Sequence, residues 1–228
     1  MKPDLCIFDA YGTLFDVAGA ARLAAAEPGG AALTACWPRL AQDWRAKQLE
    51  YTWQRAITGP HCDFAQVTAD ALDWAMEAAG LADDGLRARL LALYDHLPAY
   101  PEVPGMLTRL KARGLTTAIL SNGSPAMLKA AIASAGIGDR LDAVLSVESV
   151  GRFKPAPEVY GLVEARFGLP PAAGLFISSN GWDIAGAAAF GFNTVWVKRA
   201  GLPVDRLPGR PGRILPDLSS IPDLPELQ

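Results

Sequence analysis

Short apolar runs alternating with glycine-terminated helical segments constrain this chain more than any other feature. The runs are Leu5–Phe8, Thr117–Leu120, Ala143–Val147, Leu175–Ile177 and Thr194–Val197. Each is bounded by turn residues, most carry β-branched or aromatic side chains, and they read as buried parallel strands. Between them lie helical patterns over Met106–Arg113, Met127–Ala135, Val159–Phe167 and Ile184–Phe190. These stop at Gly114, Gly136, Gly168 and Gly191, the expected place for a helix to end. Ser124-Pro125 supplies a cap followed by proline at the first helical position. Strands alternating with helices predict an α/β fold: a Rossmann-like parallel sheet core with helices on both faces. In such sheets ligands bind beyond the C-terminal strand ends.

One stretch breaks the alternation. From about Val17 to His96 the pattern is helical throughout, with Trp37, Leu40, Trp44, Gln48 and Tyr51 spaced three or four apart. An all-helical block after the first strand reads as an inserted cap over the strand ends. A separate helical domain is the alternative, and the early return to strands favours insertion. The expected division is a core of residues 1–15 and 98–228 and a cap of residues 16–97. Trp37, Trp44 and Trp74 read as cap core. The proline-rich stretch from Gly201 reads as a peripheral wrap with little regular structure.

Composition excludes several classes. A net charge of −3 argues against a nucleic-acid surface, and no apolar run approaches a membrane span. Three scattered cysteines, Cys6, Cys36 and Cys62, form neither a metal pair nor a disulfide framework and suit a reducing cytoplasm. Cys6 reads as a core residue of the first strand.

The strand tips carry the polar residues. Asp9 ends the first strand, where a charge is costly unless paired, and Gly12 permits a sharp turn whose N–H groups can surround an anion. A turn-capping role is the plainer alternative. Ser121 and Asn122 follow the second strand beside a helix N-terminus, which favours anions, and with Ser124 as cap they are left free. Lys154 precedes Pro155, which pushes it out of helical geometry. A lysine there is either a surface charge or a partner that holds nearby carboxylates ionised. Ser178, Ser179, Asn180 and Asp183 follow the fourth strand, with Asp183 in the first turn of a helix. Arg45, Leu49 and Trp53 share one helix face in the cap. Arg45 is either an ordinary surface arginine or a cation placed over an anionic pocket.

Together these residues resemble the haloacid dehalogenase superfamily, and within it the L-2-haloacid dehalogenases. The strings that carry the resemblance are FDAYGTLFD (8–16), WRAKQLEYTW (44–53), LSNGSP (120–125), KPAPEVY (154–160) and FISSNGWD (176–183). They span core and cap. The resemblance implies hydrolytic dehalogenation of short L-2-haloalkanoic acids to 2-hydroxy acids with inversion. It makes Asp9 a nucleophile that forms an ester, which water then hydrolyses. It has Thr13 orient Asp9, Lys154 pair with Asp9, and Tyr160 support Lys154. Arg45 and Asn122 then stabilise the leaving halide. The substrate carboxylate lies against Ser121 and the N–H groups of Ala10 and Tyr11. Ser178, Asn180 and Asp183 position water, with Asp183 as base. Tyr11, Leu49, Phe64 and Trp182 line the apolar pocket. The chain departs from the pattern at Ala46, where relatives often carry a larger polar group; the smaller side chain either enlarges the pocket or loosens the hold on Arg45, which bears on substrate range and not on reaction class.

The alternative within the same superfamily is a magnesium-dependent phosphatase. Such enzymes use a second acid two residues after the nucleophile and another early in the fourth loop. Tyr11 and Ser179 occupy those positions here, so the expected metal and cofactor requirement is none. The expected partner is a small 2-haloacid, with no nucleic acid and no membrane. The resemblance also allows a homodimer.

Overall fold

The computed structural model describes residues 3–228. Its elements, in chain order, are β1 (Leu5–Phe8), α1 (Gly19–Ala26), α2 (Ala31–Thr34), α3 (Trp37–Thr58), α4 (Phe64–Ala78) and α5 (Asp84–Asp95). Then come α6 (Val103–Ala112), β2 (Thr116–Ser121), α7 (Pro125–Ala135), β3 (Ala143–Ser146), α8 (Pro157–Phe167), β4 (Gly174–Ser178), α9 (Gly181–Phe190), β5 (Asn193–Val197) and β6 (Arg213–Leu215).

The strands form one sheet in the order β3-β2-β1-β4-β5-β6, and every neighbouring pair is parallel. β1 sits centrally, with Phe8 beside Ile119 of β2 and Ile177 of β4. The chain order reverses across β1, so its C-terminal end opens onto the crevice where such sheets bind ligands. β1 and β4 are buried along their whole length, as their unbroken apolar runs require. Burial pushes the thiol of Cys6 up to about 12, in keeping with an inert core residue.

Local chemistry sets the helix ends. Ser124 Oγ accepts from Met127 N at 3.4 Å and caps α7, with Pro125 at its first position. Gly136, Gly168 and Gly191 close α7, α8 and α9 in the left-handed conformation that glycine adopts at no steric cost. Asp63 and Asp83 each accept a backbone N–H at 2.9 Å and cap α4 and α5.

Helices α1 to α5 all fall between β1 and β2. α3 packs along α4, and α1 packs against α3 and α5. The buried stripe of α3 is Leu40, Trp44, Gln48 and Thr52, a strict i, i+4 series. Trp37 and Tyr51 are half-buried beside it.

Three expectations need correction. Trp74 is 40% exposed rather than cap core; Lys47 Nζ lies over its ring at 4.5 Å, so the indole serves as a platform for a cation. β3 is an edge strand and only half-buried, because nothing pairs beyond it. The proline-rich C-terminal stretch contributes β6, whose residues extend the sheet beyond β5. Its three residues lack the apolar run that marks the interior strands.

Candidate active site

The tips of β1, β2 and β4 and the turn before α8 deliver polar side chains to one point. Asp9 follows β1 directly and is 6% exposed. Its two oxygens have unequal surroundings. Oδ2 accepts from Asn180 Nδ2 at 2.8 Å, Thr13 Oγ1 at 2.9 Å and Ser178 Oγ at 3.4 Å. Among the described residues, Oδ1 meets one donor alone, Lys154 Nζ at 3.2 Å.

The donors around Oδ2 are themselves tied down. Thr13 Oγ1 accepts from Ser179 N at 2.8 Å, and Ser179 Oγ donates to Gly12 O at 2.6 Å. Ser178 Oγ accepts from Asn180 N at 3.1 Å. The turn after β1 and the turn after β4 are thereby stitched together. Gly12 sits at a positive φ of 88°, which a side chain would strain.

Lys154 is fully buried and bridges two carboxylates. Its Nζ lies 2.9 Å from Asp183 Oδ2. Burial favours a neutral amine, but the Asp183 and Asp9 carboxylates outweigh it, and the lysine is held above its ordinary value. Asp183 sits in the first turn of α9 and is fully buried. Burial raises its carboxyl above the usual range despite Lys154, and the nearby Asp9 charge adds to that. Tyr160 Oη donates to Asp183 Oδ1 at 2.8 Å. Tyr160 therefore reaches Lys154 through Asp183, whose other oxygen holds the lysine.

Arg45 crosses from α3 to the sheet. Its Nη2 donates to Tyr11 O and to Asn180 Oδ1, both at 3.3 Å. Its Nη1 donates to Gln48 Oε1 at 2.7 Å. This is no surface arginine: the cation stands against the same Asn180 whose amide holds Asp9.

The loop after β2 is less free than its sequence suggests. Asn122 Oδ1 accepts from Lys154 N at 2.9 Å, and Ser121 Oγ accepts from Gly123 N at 3.1 Å. Both groups bind backbone N–H groups that the turns leave over. Among the described residues, the Ser121 hydroxyl proton and the Asn122 amide protons have no protein acceptor, nor do the N–H groups of Ala10 and Tyr11. That leaves a set of donors able to receive an anion.

The four residues expected to line an apolar pocket divide into two groups. Leu49 and Trp182 line a cleft of about 570 Å³ together with Arg45, Ala46 and Asn180. Tyr11 and Phe64 are buried elsewhere, with ring centroids 5.7 Å apart. Tyr11 also stacks on Tyr94 of α5 at 5.5 Å. Trp53 meets Trp182 edge-on at 5.6 Å, so this helix face of α3 does reach the core.

Gln48, Tyr94 and Ser179 surround the site, yet no role for them was visible beforehand. The signal for Gln48 was its place in the helical stripe with Leu40 and Trp44, which gives a buried position but no link to Arg45. Among the described residues no group of three or more His, Cys, Asp and Glu side chains gathers in a form that could hold a metal ion.

Comparison with known proteins bears on the whole chain. Residues 3–191 match the family model of haloacid dehalogenase-like hydrolases. The (S)-2-haloacid dehalogenase 1 of Pseudomonas sp. (strain CBS-3) is 44% identical over 97% of this chain and 95% of its own. A solved dehalogenase structure superposes with a TM-score of 0.91 at 40% identity, covering 96% of both chains. The L-2-haloacid dehalogenase of Xanthobacter autotrophicus, solved with chloropropionic acid covalently bound, matches with a TM-score of 0.84 at 36% identity, covering 97% of this chain and 98% of that one.

Proposed function

The chain belongs to the haloacid dehalogenase-like hydrolases, and on that premise we propose that it hydrolyses short L-2-haloalkanoic acids to 2-hydroxy acids with inversion. The observation that carries the mechanism is the unequal environment of the Asp9 oxygens. Three donors pin Oδ2, while among the described residues Oδ1 has Lys154 alone and keeps a lone pair to give.

Oδ1 attacks C2 of the substrate from the side opposite the halogen. The carbon–halogen bond breaks, its electron pair leaves with the halide, and the centre inverts. Arg45 faces the growing negative charge, and Asn122 shares that role. The substrate carboxylate rests on the spare donors of Ser121, Ala10 and Tyr11. Leu49 and Trp182, which line the cleft beside Arg45, supply the apolar surroundings that keep water from the reacting centre.

The ester then hydrolyses. Water attacks the Asp9 carbonyl carbon and passes a proton toward Asp183, whose raised pKa suits a base. Negative charge develops on Oδ2, where Thr13, Ser178 and Asn180 already donate. Those three groups form an oxyanion hole assembled before reaction. The bond from the carbonyl carbon to Oδ1 breaks, and the departing alkoxide takes a proton as the 2-hydroxy acid. The water oxygen stays in Asp9.

No step in this scheme needs a metal or cofactor, because a halide leaves without a proton. Magnesium would want carboxylate oxygens. Here the Lys154 ammonium stands between Asp9 and Asp183, and Tyr11 and Ser179 fill the positions of the further acids. That speaks for dehalogenation over the phosphatase alternative. Residues 16–97 act as a cap over a core of residues 1–15 and 98–228, a reading supported by the contacts of Arg45 across the gap. Three free cysteines suit a cytoplasmic setting, and no helix among the described residues is long and apolar enough to cross a membrane.

The test is chloride release from L-2-chloropropionate in excess EDTA, with the D-enantiomer and an aryl phosphate plus magnesium alongside. Chloride from the L-form alone, unaffected by EDTA, supports the proposal. Phosphate release that needs magnesium, without chloride, would replace it with the phosphatase.

A further inference from the structure

The proposed reaction assigns no part to Gln48, yet this side chain is buried, polar and bonded on every side. It is 1% exposed and lies on the inner stripe of α3, where an apolar residue would cost less. Its Oε1 accepts from Arg45 Nη1 at 2.7 Å, the shortest bond that the arginine makes. Its Nε2 donates to Thr68 Oγ1 at 2.8 Å and lies 3.1 Å from Tyr94 Oη.

The surroundings fix which way the amide points. Thr68 has one hydroxyl proton, and it goes to Phe64 O at 2.7 Å. Thr68 Oγ1 can therefore only accept from Gln48. That turns Nε2 toward α4 and Oε1 toward Arg45. Trp44 Nε1 donates to Thr68 O at 2.8 Å, which ties the same turn of α4 back to α3. A flipped amide would set NH2 against a guanidinium that has donors only, and would leave Thr68 facing an oxygen. The carboxamide is thus locked by α4, and through it the Arg45 guanidinium is locked against Asn180 and Tyr11.

Charge matters as much as orientation. A carboxylate at this position would hold Arg45 as well but would neutralise it. A neutral amide fixes the guanidinium and leaves its full positive charge available to the site. We infer that Gln48 is a positioning residue that holds Arg45, still fully cationic, in place for the departing halide. This rests on the dehalogenase reading above.

The consequence is a leaving-group signature. Chloride, the poorer leaving group, depends more on a preorganised cation than bromide does. Alkylation of Asp9 is followed in a single turnover with L-2-chloropropionate and L-2-bromopropionate, and folding of each variant is checked by its unfolding transition. In Gln48→Met, alkylation by the chloride slows by about ten-fold or more, and the bromide-to-chloride rate ratio rises by at least about three-fold. Gln48→Glu keeps an oxygen acceptor in place and adds a negative charge. It raises the same ratio even where the methionine variant folds poorly.

A purely structural glutamine predicts a lower unfolding temperature with the ratio unchanged in the folded fraction. An unchanged ratio in either folded variant overturns the inference. If the parent enzyme releases no halide from either substrate, the dehalogenase reading fails first, and that outcome is distinct.

Discussion

Lys154 Nζ lies 3.2 Å from Asp9 Oδ1, and both side chains are almost wholly removed from solvent. The same ammonium sits 2.9 Å from Asp183 Oδ2. One cation thus serves two buried carboxylates. Removing one partner of a buried ion pair leaves uncompensated charge and costs about 3–5 kcal/mol. Lys154→Met is expected to lose about that much at neutral pH, as read by urea unfolding. The deficit narrows in acid, where Asp183, its carboxyl raised by burial, takes up a proton. In the parent, the folded lysine value is raised, so its stabilisation is complete below the unfolded value near 10.5 and is lost as pH climbs through the folded one. A variant equally destabilised at all pH values would speak against the bridge.

Asp183 supplies a second pH dependence, of opposite sense. Its folded pKa is raised above 3.8 by burial. Between 3.8 and that folded value the native state binds more protons than the unfolded one. Its contribution to stability therefore improves as pH falls through the folded value. In the proposed mechanism activity runs the other way, because Asp183 acts as base only when ionised. Ester hydrolysis is expected to show an acid limb above 3.8. Tyr160 donates to Asp183 and pulls its pKa down. Tyr160→Phe should therefore move the limb to higher pH. A limb that stays in place in single-turnover hydrolysis would remove Asp183 from the base role.

Gly186 offers a way to disturb that contact from behind. A Cβ there would stand 2.5 Å from Tyr160 Oη and 2.9 Å from Pro155 Cβ. Gly186→Ala should cost about 1–3 kcal/mol by overpacking and reproduce the Tyr160→Phe shift in the acid limb. Gly161→Ala on α8 is the control, since its nearest neighbour is 3.9 Å away. That variant gains helix propensity of up to about 1 kcal/mol with an unchanged pH profile.

The parts of this molecule that were legible in its sequence are those set by local chemistry. β1 and β4 announce themselves because strands buried on both faces must be continuously apolar. Gly136, Gly168 and Gly191 mark helix ends because only glycine sits easily in the left-handed region. Asp9 stands out because a carboxylate directly after such a strand needs a reason. What stayed hidden depends on distance in space. β6 carries no apolar pattern, since an edge strand needs none. Tyr160 meets Asp183, a contact between α8 and α9 that has no sequence signature. Gln48 sat in plain view on the core stripe, but its role follows from Thr68, twenty residues away along the chain. Leu49 and Trp182 separate from Tyr11 and Phe64 because the cleft wall brings α3 against α9, and the meeting of two helices far apart in the chain leaves no sequence pattern.

Arg45 should matter to one chemical step alone. Its guanidinium touches Tyr11 O and Asn180, and in the proposed mechanism it faces the departing halide, whereas hydrolysis would rely on the donors around Asp9 Oδ2. Arg45→Ala is expected to slow alkylation by about a hundred-fold. Breakdown of a preformed ester should change by no more than a few-fold. Rapid-quench measurement of the two steps separates them, and equal losses in both would contradict the division of labour.

The central claim is that water attacks Asp9 rather than the substrate, and a single turnover in oxygen-18 water tests it directly. With enzyme in excess over L-2-chloropropionate, the label should enter the carboxyl of Asp9, read by mass spectrometry of the peptide that carries it. The first product should carry unlabelled oxygen drawn from the enzyme. Label found at once in the 2-hydroxy acid, with an unlabelled Asp9, would mean direct attack by water and would contradict the ester mechanism.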